Sequence, residues 1–553
     1  MSAKYDFVII GGGVAGLVIA SRLSENPDIQ VLVLEAGEDQ TADPRVNIPA
    51  LGPSLVKTPS DWQFKTVPQS GLGGREIGVP QGRLLGGSGA LNGLSFTVTT
   101  RANVESWASL GNEDWDWPSF SAAQKKAYSI ASDEAQSGPL KLSLPDNADS
   151  FWPKVWQDTI RELGFPNVCD PLSGQGVGSS LTPDTVDSAT RTRSYAGSAY
   201  LQAAKSRSNL TVETGALVEK VVFKTGAGDI VAEGVQYTKD GEKKVATAQK
   251  EVILSAGALN SPRILELSGV GSAELLGGLG IDVVLDNPHV DPAAVGAAME
   301  AYGKQSGPFS RSGTSATAQL PLPATENVGE LFDKLKAEAP KTRSTPAFTE
   351  KLESFIRSVL TSSSEPSGYY LSFPGYALFN PDGTMAAPPP GDEKFFAFGL
   401  LLAPPLSRGS SHITSASLES PAVAIDPGYL THPLDVELLA RHVQQIEKIA
   451  STEPLRSQLK AGGKRVPAKP LTDLEEAKDF VRKTAVGAHH FTGTCSMMPR
   501  ELGGVVDEKL RVHGIRNLRV ADASIVPITV RANPQATVYA VAEKAADLIK
   551  SSL

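Results

Sequence analysis

The sequence predicts an α/β fold that begins with a doubly wound parallel sheet. Residues 7–10 form an uninterrupted β-branched and aromatic run, which is typical of a parallel strand buried on both faces. Leu17, Ala20 and Leu23 then recur at helical spacing. A second apolar run follows at residues 31–34. A strand, a helix and a second strand in this order are the βαβ unit from which doubly wound folds are built.

A glycine-rich turn joins the first predicted strand to the helix. Residues 11–16 are Gly-Gly-Gly-Val-Ala-Gly, which matches the pattern G-x-G-x-x-G. In this pattern Gly11 permits a tight turn, Gly13 lets the backbone approach a pyrophosphate, and Gly16 lets the helix pack on the strand. The helix N-terminus supplies unpaired N–H groups and a positive partial charge for phosphates. The turn therefore predicts a dinucleotide site, and by itself it leaves both NAD and FAD open.

Glu35 stands at the end of the second predicted strand, 19 residues after Gly16. A carboxylate at this place accepts hydrogen bonds from ribose hydroxyls. Its negative charge would repel a 2′-phosphate, so the sequence argues against NADP. The alternative is a tight strand-to-helix turn that binds no ligand.

Composition excludes several classes of protein. The chain has 553 residues, 41% of them hydrophobic and 20% charged, which is ordinary for a globular protein. Its net charge is −9 and it has no basic tract, so we expect no nucleic-acid partner. Two cysteines cannot form a disulfide scaffold, and no metal site is predicted. These features favour a reduced, cytoplasmic enzyme.

The N-terminal apolar stretch does not suit a membrane or secretion. It covers residues 7–20, contains four glycines, and is shorter than the roughly 20 residues of a membrane-spanning helix. It also lacks the cationic start of a secretory signal. We therefore expect no membrane association. The C-terminal Ser-Ser-Leu resembles a peroxisomal address only loosely.

The region between about residues 301 and 408 differs in composition from the rest of the chain. It is rich in turn-forming residues, and between the turns the spacing predicts helices at residues 327–337 and 348–360. We interpret it as part of a second domain with long loops. The alternative is a disordered insert, against which the apolar run at residues 395–405 argues.

Several later segments resemble signatures of the glucose–methanol–choline (GMC) oxidoreductases. Residues 82–92 (GRLLGGSGALN) resemble the first family signature, and residues 257–271 (GALNSPRILELSGVG) resemble the second. Residues 490–497 (HFTGTCSM) resemble the active-site segment, and residues 517–527 and 532–549 resemble two flavin-contacting segments. The resemblance extends over about residues 5–550 and is weakest between about 289 and 400. It implies FAD rather than NAD, and the oxidation of a small-molecule alcohol to a carbonyl.

The resemblance also implies a two-domain architecture. A Rossmann-like doubly wound FAD-binding domain is assembled from discontinuous segments, and an α+β substrate domain built on an antiparallel sheet covers the flavin. We assign residues 1–288 to the FAD-binding region, with 111–189 partly in the substrate domain or its lid. Residues 289–480 are assigned to the substrate domain, and residues 481–553 carry the active-site histidine and return to the FAD domain. The sequence sets neither the substrate nor the oligomeric state.

Matching positions imply a cofactor-binding set beyond the three glycines of the first turn. These residues are expected to hold the ADP half, the pyrophosphate and the flavin: Val14, Ala15, Glu35, Ala36, Gly86, Ser88, Asn92, Gly93, Leu94, Val218, Asp522, Ala523, Pro534 and Gln535. Val218 should contact the adenine through its backbone. Some relatives attach FAD covalently through a histidine at the position of Leu91, so the resemblance implies non-covalent FAD here.

The resemblance places the chemistry on His490 and Asn533. Alcohol oxidation needs a base for the hydroxyl proton while the hydride passes to flavin N5, and imidazole suits the base. His490 matches the catalytic base, whereas His489 should point elsewhere because adjacent residues do not share a face. Asn533 occupies the second active-site position, where it can donate a hydrogen bond but cannot act as a base. Alternatively, Asn533 is the cap of a helix that begins with Pro534.

Four of the other histidines, Cys495 and Arg408 are expected to be structural, whereas the role of His289 is left open. The histidines concerned are His412, His432, His442 and His513. Phe96, Trp107, Tyr369 and Tyr370 could line a pocket, but aromatic residues at such positions are usually core.

Two segments depart from the family pattern. Residues 93–103 differ from the usual lid, and residues 287–290 run straight into 291–293 without the motif that relatives carry. The substrate entrance should therefore be built differently, which favours a tailoring enzyme of secondary metabolism. The alternatives are an atypical or non-redox flavoenzyme (a hydroxynitrile lyase, cyclase or decarboxylase) and a non-catalytic flavoprotein.

Overall fold

The structure of the protein is a computed structural model. It describes residues 4–131, 133, 136–144, 151–226, 228–290, 316–325, 327–340, 344–417 and 423–553. The altered segment at residues 291–293 and the turn-rich residues 301–315 lie outside the described residues.

The described chain contains both strands and helices in mixed order. The strands are β1 Lys4–Ile10, β2 Val31–Leu34, β3 Phe64–Lys65, β4 Gly78–Val79, β5 Tyr128–Ile130, β6 Leu140–Leu142, β7 Gly178–Leu181, β8 Val186–Asp187, β9 Thr192–Arg193, β10 Leu210–Glu213, β11 Leu217–Gly226, β12 Asp229–Lys239, β13 Glu242–Leu254, β14 Val270–Gly271, β15 Leu285–Asp286, β16 Ala316–Leu320, β17 Gly368–Phe373, β18 Ala397–Leu402, β19 Ser410–Ile413, β20 Val423–Asp426 and β21 Leu518–Val520. The helices are α1 Val14–Leu23, α2 Pro44–Asn47, α3 Arg101–Ala108, α4 Trp117–Ala127, α5 Phe151–Glu162, α6 Gln202–Ala204, α7 Asn260–Leu267, α8 Ala273–Gly278, α9 Val328–Ala337, α10 Pro346–Thr361, α11 Pro433–Ala450, α12 Leu455–Gln458, α13 Leu474–Thr484 and α14 Gln535–Lys550.

A seven-stranded sheet forms the base of the molecule. Its order is β10-β2-β1-β13-β12-β11, with β21 paired to β13. The pairs β10–β2, β2–β1, β1–β13 and β13–β21 are parallel, whereas β11, β12 and β13 form an antiparallel meander. The predicted doubly wound sheet is confirmed. Because Ile10 pairs with Leu34, the residues that follow β1 and β2 emerge side by side at one edge of the sheet.

The last part of the chain returns to this sheet. β21 adds a parallel strand beside the end of β13, and α14 packs against α1. Arg22 of α1 bonds to the buried Glu543 of α14 at 2.8 Å, and the Tyr200 hydroxyl donates to the same carboxylate at 2.7 Å. The FAD-binding region is thus discontinuous in sequence, as predicted.

A second sheet is antiparallel throughout. Its order is β18-β17-β16-β7. β7 comes from the segment 111–189, which was predicted to belong partly to the substrate domain. The predicted helices at 327–337 and 348–360 are confirmed as α9 and α10, and the apolar run at 395–405 contributes β18. The described part of this region is therefore folded, and a disordered insert is the wrong interpretation for it.

Most of the aromatic side chains that the sequence suggested as pocket or core residues lie in the apolar core. Phe96 and Trp107 are fully buried in the core, and the indole N–H of Trp107 donates to the Ile528 carbonyl at 3.1 Å. None of the α-helices in the described ranges has the length and apolar character that crossing a membrane requires.

Substitution of Gly16 tests the closest packing in the first βα unit. A Cβ atom at this position would collide with the Gly11 carbonyl oxygen and press on Ile9. We expect Gly16→Ala to lower the free energy of unfolding by about 3 kcal/mol, because α1 must move away from β1. Urea titration measures the loss. Gly277→Ala is the control, since this exposed helical glycine has open space around its Cβ position and should gain up to about 1 kcal/mol. Equal effects of the two substitutions would contradict the packing argument.

Candidate active site

One cavity of about 640 Å³ brings together the two groups of residues that the sequence singled out. It lies against the carboxyl ends of β1, β2 and β13 and the first turns of α1, α7 and α14. The predicted site residues in its wall are Gly11, Gly13, Val14, Ala15, Glu35, Ala36, Ser88, Asn92, Gly93, Leu94, Val218, His490, Asp522, Ala523, Asn533, Pro534 and Gln535. Gly16 and Gly86 are not in the wall.

Gly86 belongs to a turn that lies behind the cavity wall. Its φ is +95°, and a Cβ atom there would collide with the Tyr195 ring. Tyr195 is itself almost completely buried. Close packing of the turn against an aromatic ring, rather than ligand contact, accounts for this glycine, as it does for Gly16 at the helix.

Two helix N-termini open into the cavity without side-chain caps. The N-cap residue of α1 is Gly13, where an added Cβ atom would have only the Gly87 Cα atom nearby, at 3.9 Å, so that it would project into the cavity. The N-cap residue of α14 is Pro534, which has no capping group either. The first N–H groups of a helix lack intrahelical partners and carry a positive partial charge. Both helix ends therefore favour an anionic or electron-rich ligand.

Backbone groups hold Glu35 in place. Its Oε2 atom accepts a hydrogen bond from the Gly12 N–H at 2.7 Å, and its Oε1 atom accepts one from the Gly37 N–H at 2.8 Å. Burial raises the pKa of Glu35 to about 7, against the opposing effect of these two hydrogen bonds and of the Arg83 charge. Each carboxylate oxygen keeps a second lone pair, so the side chain can still accept a hydrogen bond from a ligand in the cavity.

Asn92 and Gln535 fix the loop that borders the cavity. The Asn92 Nδ2 group donates to Gln535 Oε1 at 3.0 Å, and its Oδ1 atom accepts from Arg193 Nη1 at 2.8 Å and from the Leu94 N–H at 3.0 Å. Gln535 in turn donates to the carbonyls of Leu94 at 2.9 Å and Ser95 at 2.6 Å. Leu94 has a φ of +69°, so this network stabilises a strained turn.

Asp522 fixes the loops that follow β13 and β21, beside the cavity. Its Oδ2 atom accepts from the Gly257 N–H at 2.9 Å and from the Ser261 hydroxyl at 2.6 Å. Its Oδ1 atom accepts from the Ser524 N–H at 2.8 Å. The carboxylate thereby ties the two family-signature segments together beside the cavity.

His490 and Asn533 meet in the cavity wall. The Nδ2 atom of Asn533 lies 3.4 Å from Nε2 of His490. The Oδ1 atom of Asn533 faces the hydroxyls of Tyr369 at 3.2 Å and Thr97 at 3.4 Å, which are 3.0 Å from each other. With both hydroxyls donating to Oδ1, the amide is assigned with its NH₂ group facing His490. The Nε2 atom of His490 is therefore an acceptor, which is the form that a base requires.

The alternative interpretation of Asn533, as the cap of the last helix, is wrong. Helix α14 begins at Gln535, and Pro534 rather than Asn533 occupies the N-cap position. The reason is that both polar atoms of the Asn533 amide are engaged in the contacts with His490, Tyr369 and Thr97.

The prediction that His489 points away from the site is also wrong. His489 lines the same cavity as His490. Its φ of +62° takes the backbone out of regular strand or helix geometry, so the rule that adjacent side chains diverge does not apply. The Nδ1 atom of His489 is buried and has no hydrogen-bond partner among the described residues. Nothing in the sequence signals a positive φ at a histidine.

Both cavity histidines are neutral at pH 7. Burial lowers the pKa of His489 to about 4. Burial, with a further contribution from the neighbouring His489, lowers the pKa of His490 to about 3. Although His490 keeps some exposure to the open cavity, it lies deep enough for desolvation of the charged form to dominate.

Tyr369 is a site residue that the sequence placed in the core. It is 1% exposed, yet its hydroxyl bonds to Asn533. The adjacent Tyr370 points to the other face of β17, where it bonds to His442 at 2.6 Å. This alternation is the ordinary period of a strand, but the sequence does not say which of the two faces borders the site.

The remaining histidines and Cys495 are structural, as predicted. The partners of the four histidines are Glu266 for His412, the Leu434 N–H for His432, Ser367 and Tyr370 for His442, and the Met498 carbonyl for His513. Cys495 is fully buried, and burial raises the pKa of its thiol. Arg408 packs over the Phe348 ring. Across the described ranges, no group of three or more His, Cys, Asp or Glu side chains is arranged to hold a metal ion.

Comparison with known proteins identifies the family and the fold. Two family models described as GMC oxidoreductase match residues 5–297 and 405–542. The dehydrogenase mpl7 of Monascus purpureus is 32% identical, over 100% of this chain and 96% of its own. An FAD-dependent oxidoreductase from Chaetomium thermophilum is 26% identical with a TM-score of 0.83, covering 99% of both chains. A fungal aryl-alcohol oxidase is 26% identical with a TM-score of 0.81, covering 100% of both chains.

The Glu35 carboxyl should make the stability of the ligand-free protein depend on pH. Its pKa is about 7 in the folded state against an ordinary 4.5, so the folded state binds the proton more tightly. The resulting stabilisation is complete below about pH 4.5, is lost as the pH rises through 7, and amounts to about 3 kcal/mol. Glu35→Gln removes this slope. Urea titrations from pH 5 to 8 should therefore show that the free energy of unfolding of Glu35→Gln increases relative to that of the wild type as the pH rises.

The control for that measurement is Glu38→Gln, which changes an exposed carboxylate close by. Its difference from the wild type should stay constant with pH. A constant difference for Glu35→Gln as well would contradict the raised pKa.

Proposed function

The chain belongs to the GMC oxidoreductase family, and from this premise we propose that it oxidises an alcohol to a carbonyl compound. Family membership establishes an oxidoreductase that binds FAD. The alcohol donor and the roles of individual residues are the proposal. The observation that carries it is the pairing of a neutral His490 with the Asn533 amide in the cavity that the glycine-rich turn also lines.

The residues of the cavity fit FAD. The open N-terminus of α1 suits a pyrophosphate, and a side chain at Gly13 would occupy the space that the phosphates need. Glu35 retains acceptor positions for a ribose hydroxyl. We assign the other members of the predicted set to the cofactor as before, with Gly16 and Gly86 in supporting roles. Leu91 cannot form a covalent link, so the proposed attachment is non-covalent.

Bound FAD supplies the hydride acceptor, flavin N5, for the alcohol carbon. The protein's own part is to hold the hydroxyl and to take its proton. Nε2 of His490 and Nδ2 of Asn533 are 3.4 Å apart, so one alcohol oxygen can contact both. In that position it accepts a hydrogen bond from Asn533 and donates its proton toward His490.

His490 with a depressed pKa is a weak base toward a free alcohol. It becomes effective because loss of the hydride turns the alcohol oxygen into a carbonyl oxygen, which no longer holds the proton. Tyr369 and Thr97 stabilise the arrangement by keeping the Asn533 NH₂ group directed at the site.

The wall of the cavity supports a substrate with an apolar body. Trp62 and Phe64 stack with ring centroids 5.8 Å apart, and both line the cavity together with Phe379 and Met385. This supports a role in tailoring a secondary metabolite.

We also propose the domain boundaries given above, residues 1–288, 289–480 and 481–553. The pairing of β7 with the second sheet and the return of β21 and α14 to the first support them. Cys169 and Cys495 are not bonded to each other, which supports a reducing, cytoplasmic compartment.

Replacement of His490 tests the base. We expect His490→Ala to reduce the rate of flavin bleaching by an alcohol roughly 10²- to 10⁴-fold while FAD stays bound. The measurement is anaerobic mixing with a panel of alcohols, followed at the visible flavin absorption. In the wild type this rate should show no acid limb between pH 5 and 8, because His490 with a pKa of about 3 is neutral throughout.

The control is His513→Gln, which changes a histidine bonded to the Met498 carbonyl. Wild-type bleaching by His490→Ala would refute the role of the base. Product formed by the wild type without any bleaching would instead favour a non-redox lyase, cyclase or decarboxylase.

Two replacements of Asn533 separate hydrogen bonding from charge. Asn533→Ser removes the NH₂ donor and should lower the bleaching rate roughly 10²-fold at every pH. Asn533→Asp removes the donor and adds a carboxylate beside His490, which raises the pKa of the imidazole. That variant alone should acquire an acid limb, with its rate falling further below neutral pH. A serine variant with wild-type turnover would show that Asn533 does not contact the substrate.

A further inference from the structure

Arg263 is a buried cation in the cavity wall. It lies in α7, is 6% exposed, and lines the same cavity as the glycine-rich turn. None of its nitrogen atoms is both inaccessible and without a partner, so the guanidinium is accessible from the open space of the cavity. Among the described residues it has no hydrogen-bond acceptor and no carboxylate partner, and burial alone lowers its pKa.

The other buried arginines of the described chain are all paired. Arg519 forms a two-pronged bond with Glu251 at 2.6 and 2.9 Å. Arg531 bonds to Glu365 and Thr100. Arg193 donates to several carbonyls, including those of Val46 at 3.1 Å and Asn92 at 2.9 Å. An unpaired buried charge is costly, so the exception at Arg263 indicates that a bound ligand supplies its partner.

The surroundings of Arg263 indicate which part of a ligand that is. Its neighbours on α7, Ile264 and Leu267, line the cavity, as does Val218 on β11, on which α7 packs. These are apolar surfaces, which suit a flat ring better than a phosphate. The phosphates have a better place at the open N-terminus of α1, beside Gly13.

We propose that Arg263 binds the adenine ring of FAD. Its planar guanidinium can lie on the face of a purine or donate hydrogen bonds to the ring nitrogens, and either contact supplies the partner that the protein lacks. The inference rests on the FAD site of the proposed function and is independent of the alcohol substrate.

FAD affinity of the full chain, freed of flavin, tests the assignment. We expect Arg263→Met to weaken FAD binding about tenfold, measured by quenching of flavin fluorescence. Arg263→Lys keeps the positive charge but lacks the planar guanidinium, so its affinity for FAD should lie between those of the wild type and Arg263→Met. In competition against FAD, the dissociation constant of adenosine should be higher for Arg263→Met than for the wild type, whereas that of inorganic pyrophosphate should be unchanged.

Thermal melting separates ligand recognition from a structural role. Without FAD, Arg263→Met should melt no lower than the wild type, because it removes a buried charge that has no partner. With FAD it should melt lower. The matched control is Arg519→Met, which leaves Glu251 without its partner and should melt lower in both states.

Three results would overturn the proposal: unchanged FAD affinity, a loss of pyrophosphate rather than adenosine competition, or flavin-free Arg263→Met melting as low as the Arg519 variant. Failure of the proposed function would appear differently. In that case the wild type would bind FAD normally and no alcohol would bleach it.

Discussion

The contact of α1 with β1 is the constraint on which the rest of the cavity depends. The helix can lie on the strand only because Gly16 has no side chain where the Gly11 carbonyl passes. That contact brings the open end of α1 to the edge of the sheet, where Glu35 accepts the Gly12 N–H. Parallel pairing of β1 with β2 sets the two residues side by side. The turn, the helix end and the carboxylate thus form one unit, and a change in any of them displaces the others.

The proposed catalytic pair, His490 and Asn533, depends on a second contact, which joins the antiparallel sheet to the turn before α14. Tyr369 comes from the antiparallel sheet, and Asn533 comes from the turn before α14, which packs against α1 of the first βα unit. Their hydrogen bond aligns the amide that faces His490. Because a strand alternates its faces, Tyr370 supports the second sheet from within, while Tyr369 bonds to Asn533 on the other face. The candidate site therefore exists only where both sheets are folded and in contact.

The charges around the cavity are complementary to a ligand rather than to each other. The imidazoles of His489 and His490 are kept neutral by burial, and Glu35 is held by backbone N–H groups while its pKa is raised. Arg263 has no protein partner among the described residues, and Nδ1 of His489 has none either. Such incomplete pairing is costly in a core, and it is typical of a surface that a bound cofactor and substrate complete.

The sequence alone determined the βαβ unit, the glycine-rich turn and the helices α9 and α10, because each follows from local periodicity or from a run of adjacent residues. It also anticipated that four other histidines are structural. It could not determine that His489 adopts a positive φ, that Asn533 bonds to Tyr369 instead of capping α14, or that Gly86 packs on Tyr195. Nor could it distinguish Arg263 from the paired arginines. These facts depend on residues far apart in the chain, so only the packing of the two sheets around the cavity decided them.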